Sequence, residues 1–101
     1  MNPKKIKKII YSILKELTDG NSIPSAENYG ISNEQFMQIV ELMLNEGYLN
    51  SERVSIDILD NVEIEKSIDT ITMKGIKFLE DNSKWSKFYK GIKEIRNFII
   101  K

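Results

Sequence analysis

The sequence predicts a mainly α protein with one small β-hairpin (α+β): a winged helix-turn-helix with an additional C-terminal amphipathic helix, in one domain over residues 1–101. Three observations predict it. A well-capped helical pattern over 33–46 runs into Gly47-Tyr48-Leu49, an exit from helix to extended chain. Residues 53–66 alternate apolar and polar positions around turn residues. Amphipathic helical patterns occupy both ends of the chain, and a length of 101 residues is that of a single domain.

Pro3 suits the first position of a helix over 4–18. Ile6, Ile9, Ile10, Ile13, Leu14 and Leu17 form its apolar stripe, with Lys4, Lys5, Lys8, Ser12 and Lys15 away from it. Thr18-Asp19-Gly20-Asn21 stops that helix. The segment 25–29 is long enough for one helical turn, with Ile23 and Tyr29 packing inward. Ser32 and Gln35 make a capping box for the helix over 33–46. Phe36, Ile39, Val40, Met43 and Leu44 are its buried stripe, and Gly47 ends it.

In the hairpin over 53–66, Val54, Ile56 and Ile58 are expected on one face, as are Val62 and Ile64. Asp60-Asn61 supplies the turn but lacks the glycine that would fix its register. Thr72 caps a helix over 73–82 with Ile76 and Leu79 inward. Gly75 in its first turn implies close approach of another backbone, because glycine costs a helix about 1 kcal/mol relative to alanine. Ser83 caps a last helix over 84–100, which places Trp85, Phe88, Tyr89 and Ile92 on one side.

Composition narrows the chemistry. There is no cysteine and no histidine, which removes most zinc, iron and copper sites, most nucleophile–base pairs and any disulfide. The expected compartment is therefore reducing, and cytoplasmic. Glycines at 20, 30, 47, 75 and 91 form neither a dinucleotide loop nor a P-loop. The acidic cluster Asp57, Asp60, Asn61, Glu63 and Glu65 lacks the glycine and spacing of a calcium loop. The chain is read as non-enzymatic, with no cofactor and no small-molecule substrate. The basic start of the chain turns apolar, but its apolar run is broken by lysines and Glu16, so it reads as an amphipathic helix rather than a signal peptide.

The closing third carries Ile71-Thr72, Lys74-Gly75, Leu79, Asn82-Ser83, Trp85, Tyr89 and Ile92 in a pattern that resembles the YjcQ family of small bacterial and prophage proteins. The likeness extends upstream to Glu46-Gly47-Tyr48 and to the helix from Ile10-Tyr11 to Leu17. The resemblance implies a winged-helix fold and carries over no catalytic or ligand residue.

Fifteen basic and fifteen acidic residues cancel, but they are segregated. Residues 1–18 carry net +4, residues 19–65 net −9, residues 66–83 net zero and residues 84–101 net +5. A DNA-reading helix-turn-helix puts its second helix in the major groove. Here that helix would present Glu34, Gln38, Glu41 and Asn45, with no lysine or arginine. Gln38 and Asn45 have the side chains that read adenine edges, while Glu34 and Glu41 would lie near phosphates. That face reads first as a solvated helix surface, then as an acidic patch for a basic partner, and last as a DNA reader.

A protein partner or a homodimer is accordingly expected ahead of DNA. The homodimer would form through residues 4–17 and 84–100, with Trp85, Phe88, Tyr89 and Ile92 as its candidate interface. The alternative is a DNA-binding transcriptional regulator that uses either a basic face of the terminal helices, Lys4, Lys5, Lys8, Lys87, Lys90 and Lys93, or an atypical recognition helix. A structural role in a phage or prophage assembly ranks third, and a membrane surface below these.

Overall fold

The computed structural model describes residues 1–87. The predicted helix over 84–100 lies outside them from residue 88 onward, as do Phe88, Tyr89, Lys90, Ile92 and Lys93. Among the described residues the protein is mainly helical with one two-stranded antiparallel sheet. The helices are α1 (Pro3–Thr18), α2 (Asn33–Asn45) and α3 (Met73–Asp81), and the strands are β1 (Val54–Ile56) and β2 (Val62–Ile64). Short 3₁₀ turns at Ala26–Tyr29, Ser51–Arg53 and Ser83–Trp85 join them.

The helix α1 is the centre of the core. Asn2 caps it by accepting the Lys4 N–H at 2.7 Å, and Pro3 takes the first turn. Ile9, Ile10, Ile13 and Leu14 are buried as their spacing requires. Ser12 is buried too, against the expectation that it faces outward, and so are Tyr11 and Glu16. The reason is that α1 is enclosed on more than its main stripe. The turn Ala26–Tyr29 packs along it, and the Tyr29 hydroxyl donates to Ser12 Oγ at 2.8 Å. The Tyr29 ring in turn stacks on Phe36 of α2, with centroids 6.2 Å apart.

The capping box of α2 is present as predicted. Gln35 N–H donates to Ser32 Oγ at 3.1 Å, and Ser32 N–H donates to Gln35 Oε1 at 3.0 Å. Gly47 ends the helix with φ +80°, and the Tyr48 N–H reaches back to Met43 O at 2.9 Å. This is the helix-ending motif that turns the chain left-handed and releases it extended.

The sheet pairs Val54 with Ile64, Ser55 with Glu63 and Ile56 with Val62. Val54, Ile56, Val62 and Ile64 pack against the core, as the alternation predicts. Ile58 does not follow them. The Asp57 carboxylate accepts the N–H groups of Leu59 and Asn61 at 2.8 and 3.0 Å and the Asn61 side-chain amide at 3.0 Å. Asp60 N–H closes a turn onto Asp57 O, and Asp60 itself is left-handed at φ +63°. A tight turn followed by a left-handed residue is a standard three-residue hairpin connection. It begins earlier than Asp60-Asn61 and leaves Ile58 and Leu59 at the tip, 96% and 74% exposed.

After the hairpin the chain returns to the exit of α2. Leu49 pairs with Ile71, Asn50 N–H bonds Thr70 O, and Thr72 N–H bonds Tyr48 O. Thr72 Oγ1 accepts the Gly75 N–H at 3.1 Å, capping α3, and donates to Gly47 O. The close approach expected at Gly75 is present, since a Cβ there would lie 2.5 Å from Tyr48 O and 2.7 Å from Ile71 Cγ2. That contact fixes the rotation of α3. The positions three and four residues beyond Gly75, Phe78 and Leu79, face the core, and Phe78 meets the Tyr48 ring at 5.0 Å. Ile76, expected inward, is 40% exposed.

Candidate functional site

The outer face of α2 is the acidic surface read from the sequence. Glu34, Gln38, Glu41 and Asn45 are all exposed, opposite the buried Phe36, Val40 and Met43. The start of α2 adjoins the hairpin. Asn33 and Phe36 share a cleft of about 260 Å³ with Asp60, Asn61 and Val62. The hairpin turn therefore lies beside the start of α2. Asp57 in that turn is held below its ordinary carboxylate range, first by the hydrogen bonds from Asn61.

Of the basic positions singled out in the sequence, Lys4, Lys5, Lys8 and Lys87 lie among the described residues. Lys4 and Lys87 are exposed, and Lys5 is half-buried. Lys8 of α1 and Lys84 place their ammonium groups 5.2 and 4.8 Å from the centre of the Trp85 ring. Two lysines at these distances from an indole are cation–π contacts, and they bring α1 and the Ser83–Trp85 turn together. Trp85 is half-buried, and its indole N–H is buried without an acceptor among the described residues.

Most of the apolar stripe within residues 4–17, expected at a homodimer surface, faces the chain's own core. Ile9, Ile10, Ile13 and Leu14 fill the core of the chain itself. The apolar surface that α1 retains lies at its start. There Ile6 and Ile10 line an apolar cleft of about 310 Å³ together with Leu42 at the end of α2, Tyr48 and Phe78. Lys7 and Glu46 stand at its edge, and the depression beside it adds Lys74, Lys77 and Asp81. Burial pushes the Tyr48 hydroxyl pKa up, with the Glu46 charge adding to it. The sequence reading missed this cleft. Its walls come from three separate segments, and Leu42 falls beside the α2 stripe rather than in it.

A second polar cluster holds the return from the hairpin to α3. Arg53 grips Asp69 with two hydrogen bonds of 2.9 and 3.0 Å and reaches Glu65 at 3.5 Å, while Ser67 Oγ donates to Asp69 at 2.7 Å. The Arg53 guanidinium, helped by Ser67, holds the Asp69 carboxyl at about 2, against an ordinary value of 3.8. The folded state thus binds this proton more weakly than the unfolded chain, and protonation favours unfolding. The stabilisation is complete above about pH 4 and is lost as the pH falls from there through about 2. Asp69→Asn is expected to remove this part of the acid sensitivity. Urea midpoints followed from about pH 5 down to about pH 2 should then fall less steeply than in the native chain.

Among the described residues no group of three His, Cys, Asp or Glu side chains is placed to hold a metal ion. Among them, too, no helix is long and apolar enough to cross a membrane.

Fold and surfaces together define a small, mainly helical protein whose distinctive chemistry lies in an acidic helix face, a lysine-flanked tryptophan and an apolar cleft. The family model described as "YjcQ protein" matches residues 11–98, and the chain belongs to the YjcQ family. It is 37% identical over 92 residues to a Bacillus subtilis (strain 168) protein described as "Uncharacterized protein YjcQ", covering 91% of this chain and 95% of the relative. No solved structure matches.

Proposed function

We propose that the protein is a non-enzymatic winged-helix module that works by binding another protein through the acidic outer face of α2. The order α1, short turn, α2 and hairpin supports the winged-helix reading, with the turn and α2 as the helix-turn-helix pair and the hairpin as the wing. One observation carries the choice of partner. Glu34, Gln38, Glu41 and Asn45 are all exposed on a helix that holds no lysine or arginine. Non-specific DNA affinity comes mainly from phosphates neutralised by Lys and Arg. A helix with this face repels the backbone it would have to sit on and complements a basic protein surface.

Fluorescence anisotropy with labelled random-sequence duplex DNA tests this. No binding is expected for the native chain even at low salt. Glu34→Lys combined with Glu41→Lys should create measurable affinity that weakens with salt, because each cation facing a phosphate adds about 0.9 to the slope of log affinity against log salt. Strong, salt-sensitive binding by the native chain would sink the proposal.

A second reading has its own observation. Lys8 and Lys84 both approach the Trp85 ring, which supports a joint basic face at this end of the molecule. A DNA-binding regulator using that face would bind duplex DNA in the same assay, and Lys84→Glu with Lys87→Glu would abolish the binding.

A further inference from the structure

We infer that the hairpin tip of one molecule docks in the apolar cleft of a second copy of the same chain, head to tail. This stands apart from the acidic-face proposal and uses different surfaces.

The tip is built to present apolar side chains. Asp57 ties down the turn with three hydrogen bonds, so Ile58 and Leu59 stand out from an ordered loop. Ile58 is 96% exposed. Single exposed apolar residues are unremarkable, but two adjacent aliphatic side chains at the apex of a fixed turn form a plug.

The cleft at Ile6, Ile10, Leu42, Tyr48 and Phe78 is the matching socket. An apolar cavity of about 150 Å³ holds the six carbons of benzene. The cleft, at about 310 Å³, has room for the eight side-chain carbons of Ile58 and Leu59.

Charge selects this occupant. The tip carries Asp57, Asp60 and, one strand position on, Glu63, with no basic residue between Asp57 and Glu63. The cleft and its adjoining depression carry Lys7, Lys74 and Lys77 against Glu46 and Asp81. Lys77 is paired with Asp81 at 3.4 Å, which leaves Lys7 and Lys74 facing Glu46. An acidic-flanked plug therefore meets a net basic rim, an arrangement that favours this register over other apolar contacts.

Geometry makes the contact intermolecular. Asp60 and Asn61 share a cleft with Asn33 and Phe36 at the start of α2, whereas the socket uses Leu42 and Glu46 at its end. Plug and socket sit at opposite ends of a 13-residue helix. Along α2 the tip's neighbour Phe36 and the socket's Leu42 are about 9 Å apart at about 1.5 Å per residue, and Ile58 and Leu59, 96% and 74% exposed, do not fill the cleft of their own chain. A contact between two different patches is heterologous, and it propagates into chains or closes into rings.

Sedimentation velocity on the full chain from about 10 μM to about 1 mM tests this, the range in which small interfaces dissociate. The native chain is expected to show a concentration-dependent rise in mass without a stop at dimer. Ile58→Asp with Leu59→Asp should weaken the association by about a hundredfold or more, the factor for leaving two aliphatic side chains unburied. Leu42→Glu, at a position already 37% exposed, should do the same from the socket side. Circular dichroism melts confirm that both variants fold. Mixing the two variants is the deciding step. Each retains the half that the other lacks, so an equimolar mixture should form a dimer and nothing larger. A native chain that stays monomeric throughout overturns the inference, as do a tip variant that still associates and a mixture that does not.

Discussion

Gly75→Ala is expected to destabilise the protein by about 2 kcal/mol, with a lower urea midpoint and an unchanged slope. Helix propensity alone predicts the opposite sign, since alanine in place of a helical glycine gains about 1 kcal/mol. The local geometry decides against propensity. The new methyl would lie 2.5 Å from Tyr48 O and 2.7 Å from Ile71 Cγ2. Ile71 has some freedom to rotate, but the Tyr48 carbonyl does not. It accepts the Thr72 N–H at 3.1 Å, and the adjacent Gly47 carbonyl is tied to the Thr72 hydroxyl. Relief requires α3 to lift away from the exit of α2, which loosens the Leu49–Ile71 pairing and the Tyr48–Phe78 ring contact. Overpacking of this kind typically costs about 1–3 kcal/mol and occasionally more, enough to outweigh the propensity gain. An alanine variant more stable than the native chain would show that the backbones do not approach so closely.

The signals that were legible in the sequence are local ones. Ser32 with Gln35, Thr72 and the Gly47 exit each act within one turn of their own helix, so sequence spacing suffices to place them. The alternation of Val54, Ile56, Val62 and Ile64 was legible for the same reason. The acidic face of α2 followed as the complement of a clear apolar stripe.

The misreadings came from interactions that spacing does not record. Ser12 is buried because Tyr29, 17 residues away, reaches its hydroxyl. Ile58 is at the tip because the Asp57 side chain captures the turn before Asp60-Asn61. Ile76 yields the core to Phe78 because Gly75 sets how α3 is rotated. The apolar cleft and the Arg53–Asp69 clamp join segments distant in the chain, and no periodicity within one segment announces them. Most of the α1 stripe expected at a dimer surface is covered by its own chain, because an apolar stripe looks the same whether it is covered by its own chain or by another.

Ile13 and Ile58 allow the same point to be measured, because both fall on apolar faces in the sequence and only Ile13 is covered by its own chain. Ile13 is fully buried in α1, among Ile9, Leu14, Val40 and Met43, all of them at 0% exposure. Ile13→Ala removes side-chain carbons from a fully buried site shared by two helices. The expected loss is about 2–5 kcal/mol, the transfer free energy plus a cavity. Against a total stability of about 5–15 kcal/mol this is large enough to populate the unfolded state near physiological temperature. Ile58→Ala changes a side chain that touches little within its own molecule, and its expected effect at low concentration is within about 0.5 kcal/mol of zero. Urea titrations of the two variants at low micromolar concentration check both values. A loss at Ile58 approaching that at Ile13 would mean that the tip packs against its own chain, and both the turn at Asp57 and the plug it presents would have to be redrawn.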